Sequence, residues 1–454
     1  MIERCVISIL HAVMDNLGFT RDDYQINSRA AGIITQKFLK SGNRADIASA
    51  EKSISEADLI VFGGAPLFNY RYQNFYRKTI TTLELAEQYN VPVIFSSIGV
   101  EDFDGENPKC VQLKTALNLP CVRQIATRDN YEAVRKYVEG TDITAAQVAD
   151  PAVFADIVFR KPDLPIKPES LSKQNGKASR GRRTRRRLRK ILGQLIHTRP
   201  ATQSPSQALA PDSPAVVTQT GRQSDIEQGQ RCIGLVVTRR GIFKDNKIPF
   251  TAAKQHALWL DVIAKLTEKG YKYRLLTTGH YADEVFLSDF VRKNNIDLSK
   301  VRLPINQPED LVSELRRCDG IIAYRLHASI TSYALGIPSI GLTWNFKVPA
   351  FYESIGYSGR ALSVEDWTAA ALLEAVENAM DEGVNRDTDF AMSVYSTLFS
   401  GVREILRPDE SNLVPFSFEE LQSKLPSDPG TSFALYRERV NRKMRRTYEN
   451  FIKG

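Results

Sequence analysis

The feature that most constrains the fold of this chain is a local pattern that recurs seven times. Short apolar or β-branched runs end in loops of Gly, Ser, Arg or Asp, and a helical period follows each loop. The runs are, in chain order, DLIVFGG, VPVIFSSIG, QIATRD, CIGLVVTRRG, YRLLTTG, GIIAYR and IPSIGL. Strands that alternate with helices predict parallel sheets with helices on both faces. Because a long segment of different composition follows the first three runs, we expect two such Rossmann-like sheets.

The length of the chain also predicts more than one domain, since 454 residues exceed what a single hydrophobic core serves. We interpret the short apolar opening MIERCVISIL as a first strand and not as a signal peptide. The strand pattern stops after about residue 383, and FAMSVYSTLFSGVREIL and SFALYRERVNRKMRRTYENFI predict C-terminal helices. The predicted organisation is an N-terminal Rossmann-like domain at 1–165, a basic low-complexity insertion at 166–230, a C-terminal Rossmann-like domain at 231–383 and a helical extension at 384–454.

The insertion holds the positive charge of the chain. Residues 166–230 contain 13 Lys or Arg and 4 Asp or Glu, a net charge of +9, whereas the whole chain carries +8. Apolar residues near 182–197 recur on one helical face, which predicts an amphipathic helix within a disordered linker. A basic helix over Arg182–Ile196 is typical of docking to an anionic membrane surface, and a solvated charge run is the alternative. The near-neutral body gives no reason to expect specific nucleic-acid binding.

The compartment can be predicted from two further features. The longest apolar runs are far shorter than the roughly 18 residues that a membrane-spanning helix needs. The five cysteines show no CxxC spacing, which argues against a disulfide framework or a zinc site and favours a reducing cytosol. The sequence therefore predicts a cytoplasmic protein, peripheral at the inner face of the membrane if the basic helix docks there.

The stretch AYRLHASI is the strongest candidate for chemistry. It places Arg325 and His327 between the predicted strand GIIAY and a helix that should end near Gly336. The first amides of a helix are unpaired and carry partial positive charge, so this turn favours an anion. Arg325 adds a fixed fork of donors for phosphate or carboxylate, and His327 adds a group that titrates near neutrality. The alternative is a surface cation beside a packing histidine.

Other candidates lie at the ends of the remaining strands, where ligands of open parallel sheets bind. Arg128 precedes a predicted helix that Asp129 would cap, and a bound anion would explain a cation at that end. Two glycines after the first strand would allow close approach of a ligand, although a plain tight turn is the alternative. The further candidates are Gly63, Gly64, Arg239, Thr278, Gly279, Asn345 and Lys347. No GxGxxG, GxxxxGK[ST] or clustered metal-ligand set accompanies them, so no cofactor or metal is predicted.

Taken together, these motifs resemble the polysaccharide pyruvyl transferase family. The run CDGIIAYRLHASITSYALGIPSIGLTWNFKVPAFYESIGY has the family's order of strand, R-L-H-A, helix, G-x-P, strand and aromatic-x-x-K. The runs ADLIVFGGAPLF, ATRDNYEAVRKY and VADPAVF resemble its earlier motifs, so the resemblance covers most of 55–160 and 231–360. The chain departs from the family in the loop HAVMDNLGFTRDD, which lacks the usual Asn/Gly/Asp pattern, and at Ala65, where a third glycine is usual.

The resemblance implies a GT-B-like fold with the active site between two Rossmann-like domains. It implies transfer of a pyruvyl group from phosphoenolpyruvate to two hydroxyls of a glycan or glycan-precursor sugar, which forms a ketal in exopolysaccharide or cell-surface polysaccharide biosynthesis. The acceptor would be a glycan or a lipid-linked saccharide. The family's donor-binding arginines carry over to Arg128 and Arg325 and its histidine to His327, which would be the acid/base or would orient the leaving phosphate.

Two other functions remain as hypotheses at this point. A GT-B glycosyltransferase with a nucleotide-sugar donor would share the fold, because a basic site also suits a diphosphate. A non-catalytic scaffold at the membrane would need only the basic helix. The products formed with phosphoenolpyruvate and with nucleotide sugars would distinguish the two enzymes.

Overall fold

The computed structural model describes residues 1–29, 32–71, 75–160, 230–239, 241–427, 437–438 and 440–445. The basic insertion and its predicted amphipathic helix, except for Gln230, lie outside these residues, as does most of the last predicted helix. The predicted domain boundaries therefore stay predictions. Within the described residues, no helix is both long enough and apolar enough to cross a membrane.

The chain opens with a helix, α1, at Ile2–Asn16, so the prediction of a first strand in MIERCVISIL is wrong. The physical reason is the spacing of the apolar residues. Cys5, Ile9, Ala12 and Val13 are all at most 1% exposed, and their separations of four, three and one residues place them on one helical face. A short apolar run is compatible with both periods, and here burial of this face favours the helix.

The first sheet contains four parallel strands in the order β1-β2-β3-β4. They are β1 (Ile60–Gly63), β2 (Val93–Ile98), β3 (Val122–Thr127) and β4 (Thr144–Gln147). All six residues of β2 are buried, as expected for a central strand covered on both faces. The helices are α2 (Gln36–Ser41), α3 (Ala48–Ser55), α4 (Tyr76–Gln88), α5 (Pro108–Leu117), α6 (Tyr131–Val138) and α7 (Ala155–Val158), with 3-10 turns at Arg44–Asp46 and Pro151–Phe154.

The second sheet contains five parallel strands in the order β6-β5-β7-β8-β9. They are β5 (Cys232–Val236), β6 (Lys272–Leu276), β7 (Gly320–Ala323), β8 (Ser339–Leu342) and β9 (Ala361–Leu362). The helices are α8 (Ile242–Asp245), α9 (Ala252–Glu268), α10 (Tyr281–Lys293), α11 (Pro308–Leu315), α12 (Leu326–Ala334), α13 (Lys347–Ser354) and α14 (Ala369–Glu382), with 3-10 turns at Leu298–Lys300, Ser358–Arg360 and Val364–Asp366. The two parallel sheets with helical layers confirm the predicted fold class.

The chain after the second sheet returns to the first sheet. The predicted C-terminal helix is present as α15 (Thr388–Leu406), and α16 (Phe418–Lys424) follows it. Both pack with α1 in one hydrophobic cluster that also contains Ile94 of β2 and Ala126 of β3. Helices α12 and α13 contribute to the same cluster, so the first sheet shares its core with elements of the second half.

Candidate active site

The candidate site lies where the carboxyl ends of strands from both sheets face each other. Strand β3 is followed by Arg128 and Asp129, strand β7 by Arg325 and His327, and strand β8 by a loop that leads to Lys347, the first residue of α13. The fold therefore brings together five residues that are up to 219 positions apart in the sequence. This is the edge at which open parallel sheets bind ligands.

Arg325 lies immediately before α12 and is held by a buried acid. Its Nε atom donates to Oδ2 of Asp283 at 2.7 Å, and its Nη2 atom donates to Oδ1 at 2.6 Å. Asp283 has no exposed surface, and its Oδ1 also accepts the backbone amide of Arg239 at 2.9 Å. The bidentate pair fixes the guanidinium plane, while Nη1 of Arg325 has no acceptor among the described residues. The Nδ1 atom of His280, in the loop before α10, lies 3.7 Å from Oδ1 of Asp283.

His327 is the second residue of α12 and is neutral at pH 7. Its Nε2 atom is buried and has no hydrogen-bond partner among the described residues. Burial lowers the pKa of His327 to about 4; Asp150 opposes this effect, whereas Arg128 and Arg325 reinforce it. The first hydrogen bond of this turn is donated by the Ala328 amide to the Arg325 carbonyl at 2.8 Å. The backbone amides of Leu326 and His327 have no acceptor among the described residues. The turn therefore presents donors and an unpaired imidazole nitrogen.

Arg128 is paired with Asp150, and both side chains are almost completely buried, at 8% and 3% exposed. The Nη1 atom of Arg128 donates to Oδ2 of Asp150. The other carboxylate oxygen, Oδ1, accepts the amide of Ala152 at 2.8 Å and so begins the 3-10 turn after β4. One carboxylate therefore both caps a turn and orients the arginine, whose remaining donors have no acceptor among the described residues.

Lys347 connects the two halves of the site. Its Nζ atom lies 3.4 Å from Oδ2 of Asp129 in the first half, and a Cβ at Gly99 would be only 2.8 Å from that nitrogen. Burial lowers the pKa of Lys347, an effect that Asp129 opposes and Arg128 reinforces. The predicted cap of α6 is wrong, because Asn130 accepts the Ala133 amide whereas Asp129 accepts the amides of Val100 and Asn130.

The remaining candidates from the sequence lie at the same edges of the two sheets, and most of them contact other residues of the protein. Asn345 accepts the Lys347 amide at 3.1 Å, and Gly279 has φ of +88°, where a Cβ would be 2.7 Å from the carbonyl oxygen of Ile305. Thr278 is half-buried, and Arg239 is held through its backbone by the buried acid of α10. Within the described part of the chain, no group of three His, Cys, Asp or Glu residues could hold a metal ion.

The glycines after β1 lie against the first helix. A Cβ at Gly63 would be 2.9 Å from the Val6 methyl carbons, and a Cβ at Gly64 would be 2.0 Å from Cγ2 of Ile2. In this structure the close approach that these glycines permit is therefore that of α1, and their contact with a ligand stays a prediction.

A family model described as polysaccharide pyruvyl transferase matches residues 4–345, which is most of the chain. The chain belongs to the polysaccharide pyruvyl transferase family. The match contains every residue of the candidate site except Lys347, which lies two positions beyond it. Because this is a transferase family, the paired cations and the neutral histidine are candidate active-site residues of a transferase.

Solved structures similar to this polysaccharide pyruvyl transferase family member include a UDP-GlcNAc 2-epimerase and a glycosyltransferase. UDP-GlcNAc 2-epimerase from Methanocaldococcus jannaschii is 13% identical with a TM-score of 0.48, over 87% of this chain and 95% of that chain. A glycosyltransferase from Rickettsia africae is 14% identical with a TM-score of 0.42, over 96% and 94%. At such identities and scores, the likenesses do not indicate what this family member binds. No curated protein matches the chain.

Two acids of the site were not predicted as site residues from this family member's sequence. Asp283 looks like an ordinary first-turn acid of α10, and Asp150 lies within the family motif VADPAVF without an assigned role. Both acids could have been suspected from the sequence, because each follows a strand whose carboxyl end lies at the edge that holds the site. Their arginine partners are 42 and 22 residues away, and only the fold defines those pairs.

Proposed function

We propose that this family member transfers a pyruvyl group from phosphoenolpyruvate to two hydroxyls of a glycan or glycan-precursor sugar and so forms a cyclic ketal. The observation that carries the proposal is the pair of cations Arg128 and Arg325 near the neutral imidazole of His327 at the start of α12, with Lys347 as a third cation near Arg128. Phosphoenolpyruvate carries a phosphate and a carboxylate, so its recognition needs several donors from different directions.

Each cation already has an acid partner, yet the two arginines can still bind an anion. A guanidinium has five N–H donors, and the bonds to Asp150 and Asp283 use only some of them. The acids fix the orientation of the forks before the donor arrives, which reduces the entropy lost on binding. The amides of Leu326 and His327 would add donors from the helix terminus. We therefore assign phosphoenolpyruvate binding to Arg128, Arg325 and the first turn of α12, with Lys347 as a further cation.

The chemistry requires a proton at the methylene carbon of the enol. Protonation of that carbon leaves a cationic centre at the neighbouring carbon, to which the oxygen of one sugar hydroxyl bonds as its proton leaves. The second hydroxyl oxygen then bonds to the same carbon and loses its proton, the carbon–oxygen bond to phosphate breaks, the phosphate takes up that proton, and the ketal and inorganic phosphate are the products. His327 is the residue that we propose to move a proton or to hold the leaving phosphate.

The charge state of His327 fits such a role if the donor itself supplies the charge. In the free protein the imidazole is neutral, since burial and neighbouring cations lower its pKa to about 4. A bound phosphate and carboxylate would raise this pKa, because nearby anions favour the imidazolium. The acid would then form only when the donor is in place, which avoids an unpaired buried charge in the empty site.

The acceptor is implied by the family and the location by the cysteine pattern and the basic helix, and both are proposals. We propose a glycan or lipid-linked saccharide acceptor in exopolysaccharide or cell-surface polysaccharide biosynthesis. We also propose a cytoplasmic protein that docks peripherally to anionic lipid through Arg182–Ile196. Deletion of 166–230 should abolish binding to anionic vesicles without loss of pyruvyl transfer in solution.

The deciding experiment is incubation with phosphoenolpyruvate and a panel of glycosides, with released phosphate and product mass measured together. The expected product has gained one pyruvate and lost one water, with one phosphate released per ketal. His327→Ala should reduce turnover by about 10²–10⁴ if this residue is the general acid. Sugar transfer from a nucleotide sugar, with no phosphate release from phosphoenolpyruvate, would instead identify a glycosyltransferase, and no turnover of either donor would favour the scaffold.

A further inference from the structure

Two cysteine thiols lie side by side at the end of the second sheet that is opposite to the candidate site. Cys232 is the first residue of β5, and its carbonyl accepts the Asp319 amide at 2.8 Å. The carboxylate of Asp319 in turn accepts the Cys232 amide at 2.8 Å, through Oδ2. These reciprocal bonds fix the start of β5 against the segment that leads into β7 and place Cys318 next to Cys232.

The two thiols belong to neighbouring segments and differ in their access to solvent. Cys318 is 6% exposed and lies in a hydrophobic cluster against which the half-buried Cys232 packs. The Cys318 thiol donates to the Glu314 carbonyl at 3.5 Å. The position of Cys318 is tightly defined, since a Cβ at Gly234 would be only 3.0 Å from its Sγ atom. A half-buried outer thiol therefore packs against the cluster that holds a buried inner one.

The charges around the pair favour an anion on the outer sulfur. The neighbouring Cys318 thiol lowers the pKa of Cys232, and Arg274 and Lys272 of the neighbouring strand lower it further, whereas burial and Asp319 oppose them. Arg274 itself is neutralised in part by Glu314, at 2.5 Å between Nη2 and Oε2. Because the thiolate is the reactive form of cysteine, the outer residue is the nucleophile of the pair.

We propose that Cys232 and Cys318 form a peroxide-sensitive dithiol, in which Cys232 reacts with a hydroperoxide and Cys318 converts the product into an intramolecular disulfide. This inference is independent of the proposed pyruvyl transfer, because the pair is at the opposite edge of the sheet.

The two steps balance with one hydroperoxide as the oxidant. The Cys232 thiolate attacks one peroxide oxygen, the O–O bond breaks, and the other oxygen leaves as hydroxide or alkoxide and takes a proton from water. The sulfenic acid at Cys232 is then attacked by the Cys318 sulfur, the S–S bond forms, the S–O bond breaks, and water leaves with the Cys318 proton. Two thiols lose two electrons, and one peroxide gains them.

The other three cysteines of the chain are matched internal controls. Cys5, Cys110 and Cys121 are all at most 6% exposed. Burial raises the pKa values of Cys5 and Cys121 to about 12, and the Cys110 sulfur contacts the Tyr137 hydroxyl at 3.1 Å. None of these three thiols contacts another cysteine in the described structure, so they should react slowly and without forming a bridge.

The test uses the full chain and hydrogen peroxide at about one equivalent. After oxidation, denaturation and alkylation, a non-reducing digest should yield one peptide pair joined through Cys232 and Cys318, with the three control cysteines alkylated. In the folded, reduced protein Cys232 should react with iodoacetamide about tenfold faster than Cys121. Both measurements use the wild-type chain. Equal alkylation rates, or a bridge between any other pair, would overturn the proposal.

Two variants assign the order of the steps. In Cys318→Ser, Cys232 should stop at the sulfenic acid and be trapped by dimedone. In Cys232→Ser, Cys318 should stay reduced after the same peroxide treatment. Oxidation of Cys318 at an unchanged rate in the second variant would show that Cys232 is not the attacking thiol and would refute the assignment.

Discussion

The charge state of His327 predicts how the stability of the free protein responds to pH. Its pKa is lowered from the ordinary value of 6.5 to about 4 by burial and by neighbouring cations. The unfolded chain therefore binds a proton at this residue more tightly than the folded chain does. Stability contributed by the neutral imidazole is complete above pH 6.5, decreases as the pH falls below 6.5, and is fully lost below about pH 4.

The size of this effect follows from the two pKa values. Each pH unit between them is worth about 1.4 kcal/mol, so the full effect is about 3 kcal/mol. Between pH 7 and pH 5 the loss is about 2 kcal/mol, because the unfolded histidine is then almost fully protonated and the folded one is not. Such a loss is a large part of the stability of a typical domain.

The assay compares wild type with His327→Gln by urea unfolding at pH 7 and pH 5. Carboxylates and other histidines titrate in both proteins, so their contributions cancel in the difference between the two pH dependences. The free energy of unfolding of the variant should fall by about 2 kcal/mol less than that of wild type. Equal falls in both proteins would refute the assignment of a neutral, buried imidazole.

A direct titration separates this result from a general change in stability. The chain has five histidines, and with ¹³C-labelled imidazole rings the His327 signal is the one absent from the variant spectrum. That signal should titrate near pH 4 in the free protein and at a higher pH once phosphoenolpyruvate is bound. A His256→Gln sample, altered outside the site on α9, checks the assignment. A saturating donor that leaves the titration unchanged would exclude His327 as the acid.

Three further predictions test the contacts around the site. Lys347→Met should raise KM for phosphoenolpyruvate about tenfold or more in steady-state kinetics, since it removes a cation from the site together with its ion pair to Asp129; an unchanged KM would place this lysine outside the donor site. Arg128→Lys should also raise that KM about tenfold or more, because an ammonium cannot reproduce the guanidinium fork; a wild-type value would contradict the role. Gly63→Ala should destabilise the protein by about 1–3 kcal/mol, because its Cβ would lie 2.9 Å from Val6; thermal unfolding of the double variant with Val6→Ala should recover part of the loss, and strictly additive losses would refute the contact.

The sheets were largely predictable from the sequence because most strands are apolar runs that end in a turn signal. DLIVFGG contains β1 and GIIAY contains β7, each within the predicted segment. The run MIERCVISIL was misinterpreted because its apolar residues fit either period when neighbouring contacts are unknown. Strand β4, with the sequence TAAQ, and strand β9, with two residues, carry too few apolar side chains to be recognised.

The cations of the site were predictable, but their partners were not. Arg128 and Arg325 could be placed because each follows a strand end and cannot be explained by the helix that comes after it. The pairing of Arg325 with Asp283 depends on the parallel contact of β5 with both β6 and β7, which sets the loops after β6 and β7 on one edge. Sequence periodicity gives the strands but not their order, so it cannot select one buried acid among many.

The return of α15 to the first sheet has a consequence for biosynthesis. Residues of this helix, among them Leu398 and Phe399, complete the core that α1 and strand residue Ile94 share. A ribosome makes the first sheet more than 200 residues before it makes this cover. The nascent first half therefore presents an uncovered apolar surface during translation of the second half, a form that chaperones bind and that aggregates easily. A fragment that stops before residue 388 should need continuous chaperone protection, whereas the intact chain needs it only until synthesis is complete.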